Sequence, residues 1–481
     1  MPRLVASLCA VVAFALIVRS PVARAQAPAT ATAPLDFSFR ADGSRWLPVT
    51  VTGGGTTYDV PWPETTGPAW DTALLAVGVA TPPLPATPAP AADETATPAP
   101  LPPTPYVEIT AGSYRDRQYF RAGETGPRWL NVSALRDVVT PGTAVRLRTE
   151  GMTIGTGPST LRLFDARPDL SKTVLVLAPH PDDAEIAAFA LYATTTATVA
   201  TVTAGNAGSP TYEAVFDDDE EAAQYHFKGR VRVIDSITVP WQGGVPPERA
   251  VNLGYFDARL GTMFEAPAQV VPEMYGPNTD VGQYRQYNVS PLVRRGSRSS
   301  TWQNLVADLE ALLRRVKPTV IAAPHPQLDS HRDHQFTTVA LVEALARWRR
   351  DVTLLLYTNH ADSNRYPYGP AGTILSLPAV SAPVELDRVF SLPVPVDLQR
   401  RKLFALESMH DLRYSPTRQY QLAIGDGRTI QPEKPGPGPD ITYLRRGPRS
   451  NELFFVYDQD TVKPMIDAFL APWRARAAGS R

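Results

Sequence analysis

Two short segments of this 481-residue chain gather most of the side chains that could do chemistry. The first is Pro179-His180-Pro181-Asp182-Asp183-Ala184-Glu185, and the second is Pro324-His325-Pro326-Gln327-Leu328-Asp329-Ser330-His331-Arg332-Asp333-His334. Together they hold four of the seven histidines. The only cysteine is Cys9, so a metal site in the rest of the chain must draw on histidine and carboxylates. A hydrolytic zinc site needs a few such ligands and one open position for water, whose pKa the ion lowers to roughly 7. A second carboxylate then handles the proton. The neighbouring Asp182 and Asp183 suit that division, one turned to the metal and the other to its water, although spacing does not say which is which. Each segment has a plainer reading as well, since an Asp pair after a strand can cap a helix and loop histidines can sit at the surface. Two such loops, each at a strand end, favour a metal site.

The elements that must position these residues are legible around them. Thr173-Val174-Leu175-Val176-Leu177 and Thr319-Val320-Ile321-Ala322-Ala323 are continuous apolar strands, and open parallel sheets hold ligands beyond the carboxyl ends of such strands. From residue 172 onward, apolar strands alternate with amphipathic helices. A helix is expected from about Ala184 to Tyr192, a strand over Val199–Val202, a helix near 335–349 and a strand over Val352–Tyr357. Trp302, Leu305, Val306, Leu309, Leu312, Leu313 and Val316 recur at helical spacing until Pro318 stops them. This is βαβ architecture, an α/β fold with a mostly parallel sheet and helices on both faces. Before it, residues 106–170 read as a small β-rich region, with Ala144–Arg148 and Thr160–Phe164 as strands. Residues 81–105 carry ten prolines and read as a linker, and residues 26–80 as a small β-like or disordered region. The length alone implies more than one folded unit.

Forty-seven basic and 48 acidic residues leave a net charge of −1, which excludes a global field for nucleic acid or an anionic membrane. A small neutral or mixed substrate fits better. Arg3, the apolar run Leu4–Val18 and the Ala23-Arg24-Ala25 ending read as a secretory signal over residues 1–25. The run is shorter than the roughly 20 residues that span a bilayer, so the expectation is an exported protein, periplasmic or extracellular, without stable membrane insertion. The acidic run Asp217–Glu221 lacks calcium-loop spacing and reads as a solvated face. His226, His360 and His410 stand alone in the sequence, which favours surface or packing roles.

The motifs Pro-His-Pro-Asp-Asp-Ala-Glu at 179–185 and His-Arg-Asp-His at 331–334 resemble those of the PIG-L or LmbE-like zinc de-N-acetylases. Further similarity lies in Val202–Gly208, in Leu253–Asp257 with Leu260, and near Lys402–His410, so the resemblance spans about 172–415. It implies a Rossmann-like sheet in a deacetylase domain over 171–420, followed by an extension over 421–481 that packs on it. It also implies that His180, Asp183 and His334 bind Zn2+ and that Asp182 is the general base. His331 would stabilise the oxyanion or protonate the leaving amine, and Asp333 would orient a neighbouring histidine. Asp257 would be a supporting or substrate residue. The implied substrate is an N-acetylated sugar or glycoconjugate. Departures bear on specificity: Ile186-Ala187-Ala188-Phe189-Ala190 stands where glycines are common, Gly205-Asn206 lacks the usual acid, and Lys228-Gly229-Arg230 replaces downstream Arg and Glu residues. Two other readings remain, an inactive glycan-binding protein and a zinc hydrolase of a non-sugar amide or ester.

Overall fold

A computed structural model of the protein describes residues 37–40, 43–65, 69–83, 104–208, 212, 216, 217, 219–293, 297–362, 365–380, 382–412 and 446–479. The expected signal over 1–25 and residues 84–103 of the proline-rich stretch lie outside them.

The first strands are β1 (Phe37–Phe39), β2 (Arg45–Gly54), β3 (Thr57–Pro61), β4 (Thr72–Ala80), β5 (Tyr106–Ala111), β6 (Tyr114–Tyr119), β7 (Thr125–Asn131), β8 (Ala144–Glu150), β9 (Thr153–Ile154) and β10 (Gly157–Phe164). Along β8 the inward Val145, Leu147 and Thr149 alternate with outward Arg146 and Arg148, the period of a strand with one buried face. Nine of these strands form an antiparallel sheet in the order β6-β5-β8-β3-β2-β10-β4-β7, with β9 paired to β4. It encloses its own core, which includes Val51, Val60, Leu75, Ile109, Leu147 and Leu161.

The site-bearing part follows: β11 (Thr173–Ala178), α1 (Asp183–Ala193), β12 (Thr196–Thr203), α2 (Glu221–Thr238), β13 (Ala250–Tyr255), α3 (Leu260–Glu265), α4 (Gly282–Arg285), α5 (Trp302–Val316), β14 (Val320–Pro324), α6 (Arg332–Trp348), β15 (Thr353–Tyr357), β16 (Val384–Leu386), β17 (Arg388–Pro393), α7 (Val396–Glu407), β18 (Asn451–Asp458) and a closing helix, Gln459–Gly479. Helix α5 follows its apolar spacing: Leu305, Val306, Leu309, Leu312 and Leu313 are buried. Thr301 caps its start by accepting the Asn304 N–H, and Lys317 ends it in a left-handed conformation before Pro318. The seven-stranded sheet runs β13-β12-β11-β14-β15-β18-β17.

These two sheets correct the expected fold class. The chain is not a Rossmann-like, mostly parallel sheet behind a small β-rich region. Its largest sheet is the nine-stranded antiparallel one, and in the seven-stranded sheet β18 runs antiparallel to both β15 and β17. The physical reason lies in what strand composition encodes. Seven of the eight residues of β18, Asn451 to Tyr457, are buried, and such an apolar run looks alike in either direction. Direction is set by connections, and the partners here are remote: β10 pairs with β2 and β4 across most of the N-terminal region, bringing Leu161 opposite Leu47 and Leu75.

The two sheets share one compact unit, Ala33–Arg481. Phe37, Leu74, Trp129 and Phe164 of the first part pack into the core of the second. Polar contacts reinforce this junction: Asn131 Nδ2 donates to the Leu375 carbonyl at 2.8 Å and to Ser391 Oγ at 2.9 Å, and the Ser391 N–H donates to Thr72 Oγ1 at 2.9 Å.

Candidate active site

The site forms where the carboxyl ends of β11, β14 and β15 lie side by side in the sheet. β11 delivers the turn His180-Pro181-Asp182, which leads directly into α1. Asp182 sits at φ 142°, a conformation that costs a residue with a Cβ about 1–3 kcal/mol and that the surrounding contacts must impose. β14 delivers the second loop, which ends where α6 begins. There His331 is the cap of α6, its Nδ1 accepting the Asp333 N–H at 3.2 Å. That bond leaves the ring proton on Nε2 of the neutral imidazole, free to be donated outward.

His180, Asp183 and His334 meet. His180 Nδ1 lies 3.1 Å from His334 Nε2 and 3.2 Å from Asp183 Oδ2, and His334 Nε2 lies 3.0 Å from the same oxygen. Ligands of a tetrahedral ion at about 2.1 Å stand roughly 3.4 Å apart, so this triangle of two imidazole nitrogens and one carboxylate oxygen fits a divalent cation with little adjustment.

Each of the three groups is held from behind. Asp257 Oδ1 at 3.1 Å and Asp333 Oδ2 at 3.3 Å face the far nitrogen of His180. Asp333 is itself fixed by the N–H groups of Ala258 at 2.6 Å and Leu260 at 3.1 Å. Asp329 Oδ2 holds His334 Nδ1 at 2.9 Å, and Asn359 Nδ2 donates to Asp183 Oδ1 at 2.7 Å. Such partners choose the tautomer and raise the basicity of a ligating imidazole. Asp182 points elsewhere: its Oδ2 accepts Arg232 Nη2 at 2.9 Å, and Arg232 also donates to the carbonyls of Pro181 at 2.9 Å and Gly205 at 3.3 Å. Asp411 Oδ2 sits 3.1 Å from Arg232 Nε and 3.2 Å from Lys228 Nζ.

Burial and these neighbours set the electrostatics. Burial pushes the Asp182 carboxyl up, helped by the negative charge of Asp183 and opposed by Arg232, to about 7. Burial also resists charge on His334, but Asp183 and Asp329 overcome it and lift the imidazole to about 9. His180 is likewise raised against burial by Asp257, Asp183 and Asp333. Burial, with His180 and His334 beside it, depresses His331 to about 3. The carboxylates thus draw positive charge onto the two imidazoles of the triangle, and binding a divalent cation there would release those protons.

Several groups at the site escape the sequence reading. Asp329 receives the N–H groups of His331 at 3.0 Å, Asn359 at 3.0 Å and His360 at 3.2 Å, and so organises the whole second loop. Asn359 and His360 follow β15 as the two motifs follow β11 and β14, a strand-end position that could have marked them. His360 is not isolated: its ring centroid lies 4.6 Å from His334 and 5.3 Å from His331. Lys228 and Arg232 share one buried face of α2 at a spacing of four, a cationic pair unusual inside a helix packing surface. His410 pairs with Asp235 at 2.8 Å, while His226 lies against Tyr284 with ring centroids 5.2 Å apart. His325 is fully buried and bonds Tyr457 Oη at 3.1 Å.

Residues 175–345 match the family model described as PIG-L: GlcNAc-PI de-N-acetylase. The matched residues carry both motifs and the site, in agreement with the family resemblance that those motifs imply. The match supports a hydrolase of the deacetylase type, in a family that is usually metal-dependent. Among curated proteins none matches. Solved structures similar to the chain include GalB, the 4-carboxy-2-hydroxymuconate hydratase from Pseudomonas putida KT2440, at 12% identity and a TM-score of 0.26, over 60% of this chain and 95% of that one. Another is a family two carbohydrate esterase from Cellvibrio japonicus, at 9% identity and a TM-score of 0.14, over 66% and 89%. Scores this low carry no argument. Among the described residues, no helix is long and apolar enough to cross a membrane.

Proposed function

We propose that this protein is an exported zinc hydrolase that removes an N-acetyl group from an N-acetylated sugar or glycoconjugate. The observation that carries the reading is the donor triangle of His180, Asp183 and His334, with the neighbouring Asp182 left outside it, paired with Arg232 and acted on by the charges of Asp183 and His180. The PIG-L match supports the reaction class, and the sugar is the substrate that the family's description names. Export rests on the N-terminal segment alone.

Zinc, held by the triangle, would acidify a water and polarise the substrate carbonyl. Asp182 takes the proton from the attacking water; its elevated pKa and its Arg232 contact keep it a base that is strong yet ionisable near neutrality. The water oxygen bonds to the carbonyl carbon, and the carbonyl electron pair moves onto its oxygen. His331, a neutral imidazole with its proton on Nε2, would donate toward that oxygen or toward the departing nitrogen. Cleavage of the C–N bond returns its electron pair to nitrogen, which takes a proton, leaving acetate and an amine. Asp333 acts through His180, whose far nitrogen it faces.

The test is free-amine release from a panel of N-acetylated glycans by zinc-loaded native protein and by Asp182→Asn. Release by the native protein alone supports the reading. If neither protein releases amine from any panel member, the deacetylase reading falls and a glycan-binding role takes its place. Cleavage of acetate esters with no amide turnover would instead move the activity to a different bond.

A further inference from the structure

We infer that His360 is a further catalytic residue of this centre, contacting the substrate carbonyl oxygen as it gains charge. The inference rests on the hydrolase reading above and extends it to a residue outside both motifs.

The geometry around the triangle is two-sided. A nitrogen of His331 lies within 4.8 Å of nitrogens of His180 and His334, and a nitrogen of His360 lies within 4.8 Å of Asp183 and His334 donors. One imidazole therefore borders the His180–His334 edge and the other borders the Asp183–His334 edge. Both rings adjoin the donors that would hold an ion in the triangle. His360 is also firmly placed. Its N–H donates to Asp329 at 3.2 Å, and its carbonyl accepts the Ser330 N–H at 3.2 Å and Oγ–H at 2.6 Å. The same Asp329 oxygen holds the His334 ring at 2.9 Å, so one carboxylate anchors both that ring and the backbone that carries His360. His360 is half-buried, whereas His334 is fully enclosed.

Amide hydrolysis places demands on two atoms in turn, and a hydrogen-bond donor at each adds to what the cation supplies. As water adds to the carbonyl carbon and Asp182 takes its proton, the carbonyl oxygen acquires the displaced electron pair and needs a partner. When the C–N bond then breaks, the nitrogen receives that bond's pair and needs a proton. These two atoms lie on different sides of the tetrahedral carbon, and a single imidazole bordering one edge serves one of them. His360 attends the oxygen, and His331 is left to the nitrogen.

The experiment uses the full chain loaded with Co2+, whose visible spectrum reports its coordination, and acetate as the probe. Native protein is compared with His360→Ala and with His360→Gln, which keeps an N–H donor; melting curves establish that each variant is folded. His360→Ala is expected to bind Co2+ within about threefold of native, to bind acetate at least about tenfold more weakly, and to lose about 10²–10³ in kcat with KM nearly unchanged. His360→Gln should recover part of each loss. Acetate affinity and kcat both within twofold of native in His360→Ala would overturn the assignment. So would a tenfold or larger loss of Co2+ affinity, which would make His360 a ligand instead. If the native protein cleaves no acetylated glycan but His360→Ala still weakens acetate binding, the deacetylase reading fails and the catalytic assignment falls with it, leaving His360 as a contact for a bound carboxylate.

Discussion

Two buried charge clusters border helix α1, and they are built to opposite ends. At its start, His180, Asp183 and His334 converge with Asp257, Asp329 and Asp333 behind them, and Asp182 stands alongside. In its second half the helix kinks at Ala188, and the freed N–H groups of Ala190 and Leu191 donate to Glu452 at 2.8 and 3.0 Å. Lys402 then neutralises Glu452 at 2.8 Å, with both side chains almost wholly buried. The second cluster is complete within the protein: one cation, one anion, and two backbone donors for the anion's remaining lone pairs. The first cluster has more carboxylates than cations to match them, and its donors point at a common centre. A closed cluster holds shape, while an open one holds a ligand.

This contrast is broken most sharply at Asp182. Asp182→Asn should lower kcat by about 10²–10⁴ and leave zinc content and melting temperature close to native, as read by amine release, elemental analysis and thermal melts. A large loss of stability would mean that Asp182 belongs with the closed kind. Lys402→Met should do the reverse, costing about 3–5 kcal/mol of unfolding free energy because Glu452 is left charged and buried. Turnover per folded molecule should hardly change. Denaturant unfolding of this variant and of Lys402→Met/Glu452→Gln checks the cause, since the double variant should recover part of the loss.

A smaller effect is expected one step behind the triangle. Asp329→Asn should weaken zinc binding about 10–100-fold by releasing the tautomer and orientation of His334, measurable by competition with a chelating dye. Smaller still is the effect of the ligand on the whole fold: zinc at about 100 times its Kd should add about 2.7 kcal/mol to stability in native protein and nothing in Asp183→Ala. Equal stabilisation of both would show that zinc binds elsewhere.

The legibility of these two clusters from sequence differs for the same reason that they differ in build. The open cluster comes from residues crowded into two motifs at strand ends, so His180, Asp182, Asp183, His331, Asp333 and His334 are all visible in a string. Helix α5, expected from its apolar spacing, begins and ends where that spacing does. Arg232, Asp411, Asn359 and His360 reach the site from other elements, with no local pattern that aims them at it. The closed cluster is hidden altogether, because Lys402 and Glu452 are 50 residues apart and each alone reads as a surface charge.

By itself, the sequence determined which residue types could hold a cation and activate water, and which short segments form helix or strand, because both follow from near neighbours. The tertiary structure alone decided strand direction, the joining of N-terminal strands into a nine-stranded antiparallel sheet, and the partners that orient each imidazole. Those depend on contacts between remote segments, and a buried apolar strand or a lone carboxylate carries no mark of what it will meet.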